Sequence, residues 1–450
     1  MEGDFAVDPL SIDADFTRVL LQQGRVLLPA DWNAMVALFT RQVRSLAVDL
    51  IGPHGGPEAN PGFRISRSAS NEVLIGPGVY WVGGIRVALS SEVKYVEQPF
   101  FRAPVPTAEG MFYLDVWEQH VSAAEDPTLR EVALGGPDTT SRARVAWQVR
   151  FLEGTVTPAP TLENAWQILN DRLKREPRLR AEAKKDNQDT ACIIAPDASY
   201  RGFENQLYRV EIHQGSKAGV PPTYKWSRDN GSITFPVESL NGTRAIVDFL
   251  GRDQRTGLAP GDWVEIVDDQ SLFSDDPRPL VRVEKVDRSA RTVDFKQPPG
   301  GVPPSAGRRI LRRWERDAAP IPSNQNVFEL ENGVMVAFSG TGFRRGDYWL
   351  IPARTALRDV IWTTPPPGWS KPHGPRHRYA PLAYVTAAGL QELRYEFSLN
   401  RKAVPPPPAG GGGAVLPVNL TDLQSHPDEE QVQSTRALGR GRLSAKKKGR

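Results

Sequence analysis

Cysteine is almost missing from this 450-residue chain, where Cys192 stands alone. One thiol can close no disulfide within the chain and can build no multi-thiolate metal centre, and it leaves the redox compartment open. Histidine is scarce too: six are spread over positions 54, 120, 213, 373, 377 and 426. His373 and His377 have the four-residue spacing that puts two metal ligands on one helical face. Pro372, Gly374 and Pro375 forbid that helix, and no HExxH pattern or third ligand accompanies the pair. A GxSxG nucleophile elbow is missing as well. The expectation is a chain with no metal, no cofactor and no catalytic residue.

Long apolar runs are also lacking, since no stretch approaches the roughly 18 residues that a membrane span needs. The start, MEGDFAVDPLSIDADF, is acidic and has no basic segment followed by an apolar one. These two features predict a soluble protein that assembles in the cytoplasm without a signal peptide. Positive charge is thin outside the far C-terminus. Seven of the 56 Lys and Arg residues fall between Arg436 and Arg450, leaving residues 1–435 with 49 cations against 53 carboxylates. The body is mildly acidic, so a sequence pI near 8.9 is no sign of a basic nucleic-acid face.

Proline (40) and glycine (39) are abundant instead. Punctuation at that density favours short strands and turns over a helical bundle. Two helices are predicted all the same, at about 31–51 and 161–175. The first carries Trp32, Met35, Val36, Phe39, Val43, Leu46, Ala47 and Leu50 as an apolar stripe at helical spacing, with Asp31 as N-cap. It reads as a core-packing helix, with subunit contact through Trp32 and Phe39 as the alternative. The second, TLENAWQILNDRLKR, places Trp166, Leu169 and Leu173 on one face.

Elsewhere the pattern has period two. In ARVAWQVRFLE, Val145, Trp147, Val149 and Phe151 alternate with polar residues, as in a half-buried strand. The charge-dense stretch YRGFENQLYRVEIH obeys the same rule. Tyr208, Val210 and Ile212 face a core, while Arg209, Glu211 and His213 face solvent or a neighbouring strand. Asp229-Asn230-Gly231 then signals a hairpin, with Ile233, Phe235 and Val237 returning as the partner strand. GDWVEIV, PLVRVEKV and RTVDF predict a small barrel or sandwich. Gly340, Gly342 and Gly346 are spaced too widely for a phosphate loop and precede a strand, which makes them a hairpin loop.

The predicted fold is mainly β, with several small sandwich- or barrel-like modules, two helices and a disordered or extended C-terminal tail. Residues 1–52 form a strand-helix segment, 53–160 a β domain, 161–190 a helical connector and 191–400 one or more β-rich domains. Residues 401–450 hold a Pro/Gly linker, VPPPPAGGGGAV, and the basic tail. In that tail Arg436, Arg440, Arg442, Lys446, Lys447, Lys448 and Arg450 are candidate partner contacts. No aromatic residue is interleaved with them, which disfavours base stacking and a specific nucleic-acid partner.

Two further patterns suggest chemistry. Asp268-Asp269 and Asp275-Asp276 flank SLFS. They read as solvated turn residues, with acid-base work on a polysaccharide or peptidoglycan as the alternative. Aromatic residues in PPPGWSKPHGPRHRY suggest a glycan- or receptor-binding module.

Six segments in order, LLQQGRVLLPADWN, YRGFENQLYRVEIH, YKWSRDNGS, GDWVEIVDD, GDYWLIPAR and HRYAPLAYV, resemble a bacterial domain family of unassigned activity. Its members are often encoded beside components of phage-tail-like contractile injection systems. The N-terminal part is similar to the start of some phage tail fibre and baseplate proteins, although Pro29 stands where an acidic residue is expected. The resemblance covers about residues 16–385. It implies a structural accessory subunit, associated with a baseplate, fibre or cage, that is not an enzyme. Its partners would be other particle subunits, with a homo-oligomer, a trimer among the options, and a place in a cytoplasmic or released extracellular particle.

Overall fold

The computed structural model describes residues 1–4, 16–99, 104–185, 199–301, 308–322, 325–362 and 368–398. Cys192, the whole Pro/Gly linker and the seven basic tail residues lie outside the described residues. Among these described residues the fold is mainly β, with six sheets, one of them a closed barrel, and three α-helices.

Helix α1 (Pro29–Ile51) starts one turn before the apolar stripe. Pro29 takes the first helical position, where its missing N–H costs nothing. The Leu28 amide donates to the Asp31 carboxylate at 3.3 Å, so Asp31 works from the first turn and not as the N-cap. Gly52 (φ 92°) ends the helix and donates its N–H to Val48 O at 2.8 Å. The core-packing role is corrected: only Leu38 of this helix is buried, and the apolar stripe faces outward.

Helix α2 (Ala165–Arg172) is shorter than expected. It lays Ala165 and Leu169 against Met111, Tyr113 and Tyr384. These three belong to an antiparallel sheet in the order 389–392, 378–386, 110–121, 142–153, here called the long-strand sheet. The period-two rule assigns its faces. Phe112, Leu114 and Val116 enter a core shared with strands 78–82 and 85–89, while Met111 and Tyr113 turn to α2.

A central sheet has the order 319–320, 223–227, 206–214, 348–354, 359–360. Tyr208, Val210, Ile212, Tyr224 and Trp226 pack against strands 178–183 and 334–339 of a three-stranded sheet. Strand Thr223–Ser227 corrects the hairpin expectation. Asn230 (φ 50°) and Gly231 (φ 65°) do turn the chain, but strand 234–241 does not pair with 223–227. It enters the six-stranded barrel of 234–241, 244–247, 292–295, 281–287, 263–268 and 309–314, which encloses Phe235, Val264, Ile266, Val283, Val293 and Leu311. The glycine loop at 340–346 likewise joins strands of two different sheets and is no hairpin.

Short helix α3 (Asp269–Phe273), unforeseen in the sequence, ties the barrel to the long-strand sheet. Phe273 packs on Trp117 with ring centroids 5.6 Å apart, and Gln148 Nε2 donates to Phe273 O at 3.0 Å. Pairing also joins distant stretches, since strand 110–121 lies beside 378–386 and strand 178–183 beside 334–339. Phe235, fully enclosed in the barrel, carries the plainest stability test. Phe235→Ala is expected to cost about 3–5 kcal/mol, read as a lowered thermal midpoint with the strand signal kept in circular dichroism below it.

Candidate functional site

Central sheet, barrel and long-strand sheet meet around one cavity of about 1540 Å³. Its charged wall begins on strand 206–214. Because Tyr208, Val210 and Ile212 take the sandwich side, Arg209, Glu211 and His213 point to the opposite face. There the barrel covers them, and all three are buried. Of the two options that the alternation left, solvent or a neighbouring strand, the second holds: both faces of the strand are covered.

These groups form one chain of ion pairs. Arg209 Nε donates to Glu211 at 2.6 Å. Glu211 lies 3.3 Å from the Lys225 ammonium, which also donates to Glu265 of the barrel. Glu265 accepts from Trp314 Nε1 at 3.1 Å and pairs with Arg345 at 3.4 Å. The Lys225 ammonium sits 4.2 Å from the Trp314 ring centroid. Burial pushes both carboxyls up, but Arg209 and Lys225 outweigh it at Glu211, and Lys225, His213 and Arg345 do so at Glu265. Both are held below the usual carboxylate range. Arg312 of the barrel extends the chain, reaching Glu2 at 2.5 Å and Glu125 at 4.0 Å.

A second cluster sits across the cavity. Asp115, wholly buried on strand 110–121, lies 2.6 Å from His377 Nδ1 and accepts from Arg344 at 2.8 Å; Arg150 is 3.5 Å away. His377 packs 4.7 Å from Trp117, and burial with the nearby Arg344 lowers its pKa to about 4. At neutral pH the ring is neutral, so its Nδ1 donates to the carboxylate. Burial would raise the Asp115 carboxyl, but His377, Arg344 and Arg150 hold it well below its ordinary value. An Asp–His pair of this kind can fix a tautomer for proton transfer or metal binding. Among the described residues, no group of three or more His, Cys, Asp or Glu is placed to hold a metal ion.

The residues singled out in the sequence fare differently. His373 accepts from the Leu350 amide through Nδ1 at 3.0 Å, away from the bond that His377 makes. Asp268 is no solvated turn residue: it is buried, caps α3 by accepting from Ser271 N at 2.8 Å, and pairs with Arg278 at 2.8 Å. Asp269 pairs with Arg144, Asp275 with Arg150 and Asp276 with Lys217, so the four carboxylates go to four different cations. In the aromatic loop, Trp369 lies under Arg180 and the Tyr379 hydroxyl accepts from Arg344. Trp32 and Phe39 are exposed on α1.

Lys225, Glu265, Arg312 and Asp115 escape a reading of the sequence. Lys225, Glu265 and Asp115 each stand between apolar or aromatic neighbours in a strand, and Arg312 stands beside Arg313. The available signal is that aromatic or branched residues flank Lys225 and Glu265 in YKWS and WVEIV, a composition suited to strands covered on both faces.

Fold and cavity define a class: a multi-sheet, mainly β protein with a barrel and a buried, charge-lined cavity. Residues 1–76, 105–176 and 160–397 match the model of the Family of unknown function (DUF6519), and the chain belongs to that family. No curated protein and no solved structure matches the chain.

The network sets two expectations. Lys225→Met leaves Glu211 and Glu265 facing each other in a buried site, so it should cost about 3–5 kcal/mol, seen as a drop in the thermal midpoint. His54, His213 and His377 have pKa values lowered to about 4, and His120 to about 3, chiefly by burial. Below pH 6.5 the unfolded chain takes up protons that these rings refuse until pH 4 or lower. Stability present above pH 6.5 is therefore lost on acidification, by about 3 kcal/mol for a ring shifted that far. Thermal melts between pH 7 and 4 measure the slope, and His54→Gln should remove its share.

Proposed function

We propose that this chain is a structural accessory subunit of a contractile injection system or phage-tail-like particle, associated with its baseplate, fibre or cage and acting by protein-protein assembly. One observation carries the assembly role. Trp32, Val36, Phe39, Val43, Leu46 and Leu50 of α1 are each between 48% and 62% exposed. Their spacing alternates strictly between four and three, which is the 3.5-residue repeat of a coiled-coil seam. An isolated surface helix would carry polar residues there, because large exposed apolar stripes mark contact sites.

The seam suits a second copy of the same helix. Val36, Val43 and Leu50 fall on one heptad row, Trp32, Phe39 and Leu46 on the other. The flanking positions are Asn33, Met35, Thr40, Gln42, Ala47 and Asp49, with one charge among six and little to repel an identical neighbour. The particle itself rests on the resemblance of the ordered segments. The basic tail, Arg436 to Arg450, would give a second, tethered contact to another subunit.

The glycan-binding and hydrolase alternatives draw less support, because the aromatic and carboxylate groups they need already have protein partners.

Light scattering on the full chain should give an oligomer, and Phe39→Glu with Val43→Glu should give a folded monomer. A monomeric wild-type chain would sink the self-association. Mass spectrometry of purified particles should find this chain, and normal particles without it would sink the particle role.

A further inference from the structure

The ion-pair chain in the cavity holds one member that its strands do not supply. Strands and adjoining loops contribute four cations, Arg209, Lys225, Arg312 and Arg345, and three carboxylates, Glu125, Glu211 and Glu265. Burial raises the Glu125 pKa against the opposing pull of Arg312. The sheets thus enclose an excess positive charge, and uncompensated buried charge is costly. Glu2 supplies the carboxylate that faces these cations, while the Met1 ammonium beside it donates to the Tyr348 hydroxyl. The Glu2 carboxylate pairs with Arg312 at 2.5 Å and lies 3.6 Å from Arg209.

The backbone around Glu2 is held as a bound peptide would be. Gly3 N donates to Asn230 O at 3.2 Å, while Asn230 Nδ2 donates to Gly3 O at 2.8 Å and to Met1 O at 3.3 Å. Arg209 NH1 adds a bond to Met1 O at 3.2 Å. The receiving side is rigid. Arg209 and Arg312 are each 3% exposed, Arg209 lies 3.7 Å over the Tyr348 ring, and Asn230 is fixed in the turn after strand 223–227. Arg312 Nε is buried with no hydrogen-bond partner among the described residues, so the site keeps an unused donor. Met1–Asp4 form part of the wall of the cavity of about 1540 Å³, which stays open beside them.

We propose that Arg209, Arg312 and Asn230 form a carboxylate-recognition site for an acidic peptide segment, and that Met1–Asp4 is its tethered, exchangeable occupant. Main-chain bonds through Asn230 accept any extended segment, and the two guanidinium groups select a Glu one residue before the Gly3 position. The same chemistry admits the segment from its own chain or from another polypeptide. Helix α1 lines the same cavity through Trp32, Val36 and Leu38, but the contacts to Glu2 come from Arg209 and Arg312, so peptide binding reads this site and not the assembly role.

The test uses full-length chain with Glu2→Ala, which vacates the carboxylate position, and a fluorescent peptide Met-Glu-Gly-Asp-Phe read by anisotropy. The variant should bind this peptide at least about tenfold more tightly than Met-Gln-Gly-Asp-Phe, the loss expected for one charge-assisted contact. Wild-type chain, with its own segment in place, should bind it at least about tenfold more weakly than the variant. Adding Arg312→Gln should abolish binding. A folded variant that binds neither peptide, or both equally, overturns the proposal. Should Glu2→Ala fail to fold, a spin label on Asp4→Cys in a Cys192→Ser chain decides. Excess Met-Glu-Gly-Asp-Phe should mobilise the label if the occupant is exchangeable, and an unchanged spectrum at saturating peptide overturns it.

Discussion

The Lys225 ammonium between Glu211 and Glu265 is the contact on which the arrangement of the sheets depends. Lys225 and Glu211 belong to the central sheet, Glu265 to the barrel, and all three are buried. In a low-dielectric interior such charges are tolerated only when paired and hydrogen-bonded. Moving the barrel would strand a carboxylate on one side and an ammonium on the other. Apolar packing would tolerate a range of slightly shifted arrangements; this triad has one geometry in which the ammonium meets both carboxylates. Arg344 and Asp115 do the same between the central and long-strand sheets at 2.8 Å.

Alternation accounts for much of what the sequence disclosed. The strand at 206–214, the barrel strands at 263–268, 281–287 and 292–295, and the long α1 can all be read from local pattern. Alternation says that two faces differ; it does not say what covers the second. Arg209 and Glu211 look like solvent-facing charges because their cover comes from residues 263–314, far along the chain. The same limit misplaces the partner of strand 223–227. Asn230 and Gly231 specify a turn by their left-handed backbone, but the direction the chain takes next is set by tertiary pairing with strand 309–314. For α1 the stripe is legible and its neighbour is not, since an apolar face packs equally well inside a monomer or between copies.

Much of the cavity could not be assembled from sequence because its members come one per strand. Asp115, Lys225, Glu265 and Arg312 are scattered between positions 115 and 312, and none sits in a motif. Conversely, the most motif-like features disperse in space: four aspartates go to four cations, and His373 and His377 turn to different partners.

Strands 223–227 and 319–320 pair with each other, Thr223 opposite Pro320 and Tyr224 opposite Ala319. The chain thus departs for the barrel and comes back at neighbouring points of one sheet edge, the topology of a cassette spliced into a host. A short loop could bridge the gap and leave the host sheet's hydrogen-bond ladder whole. Excision would nonetheless withdraw Glu265, Arg312 and Arg313 together, turning an interior interface into a solvent-facing wall of charge. Topology makes the barrel separable, and the buried ion pairs make host and guest depend on each other.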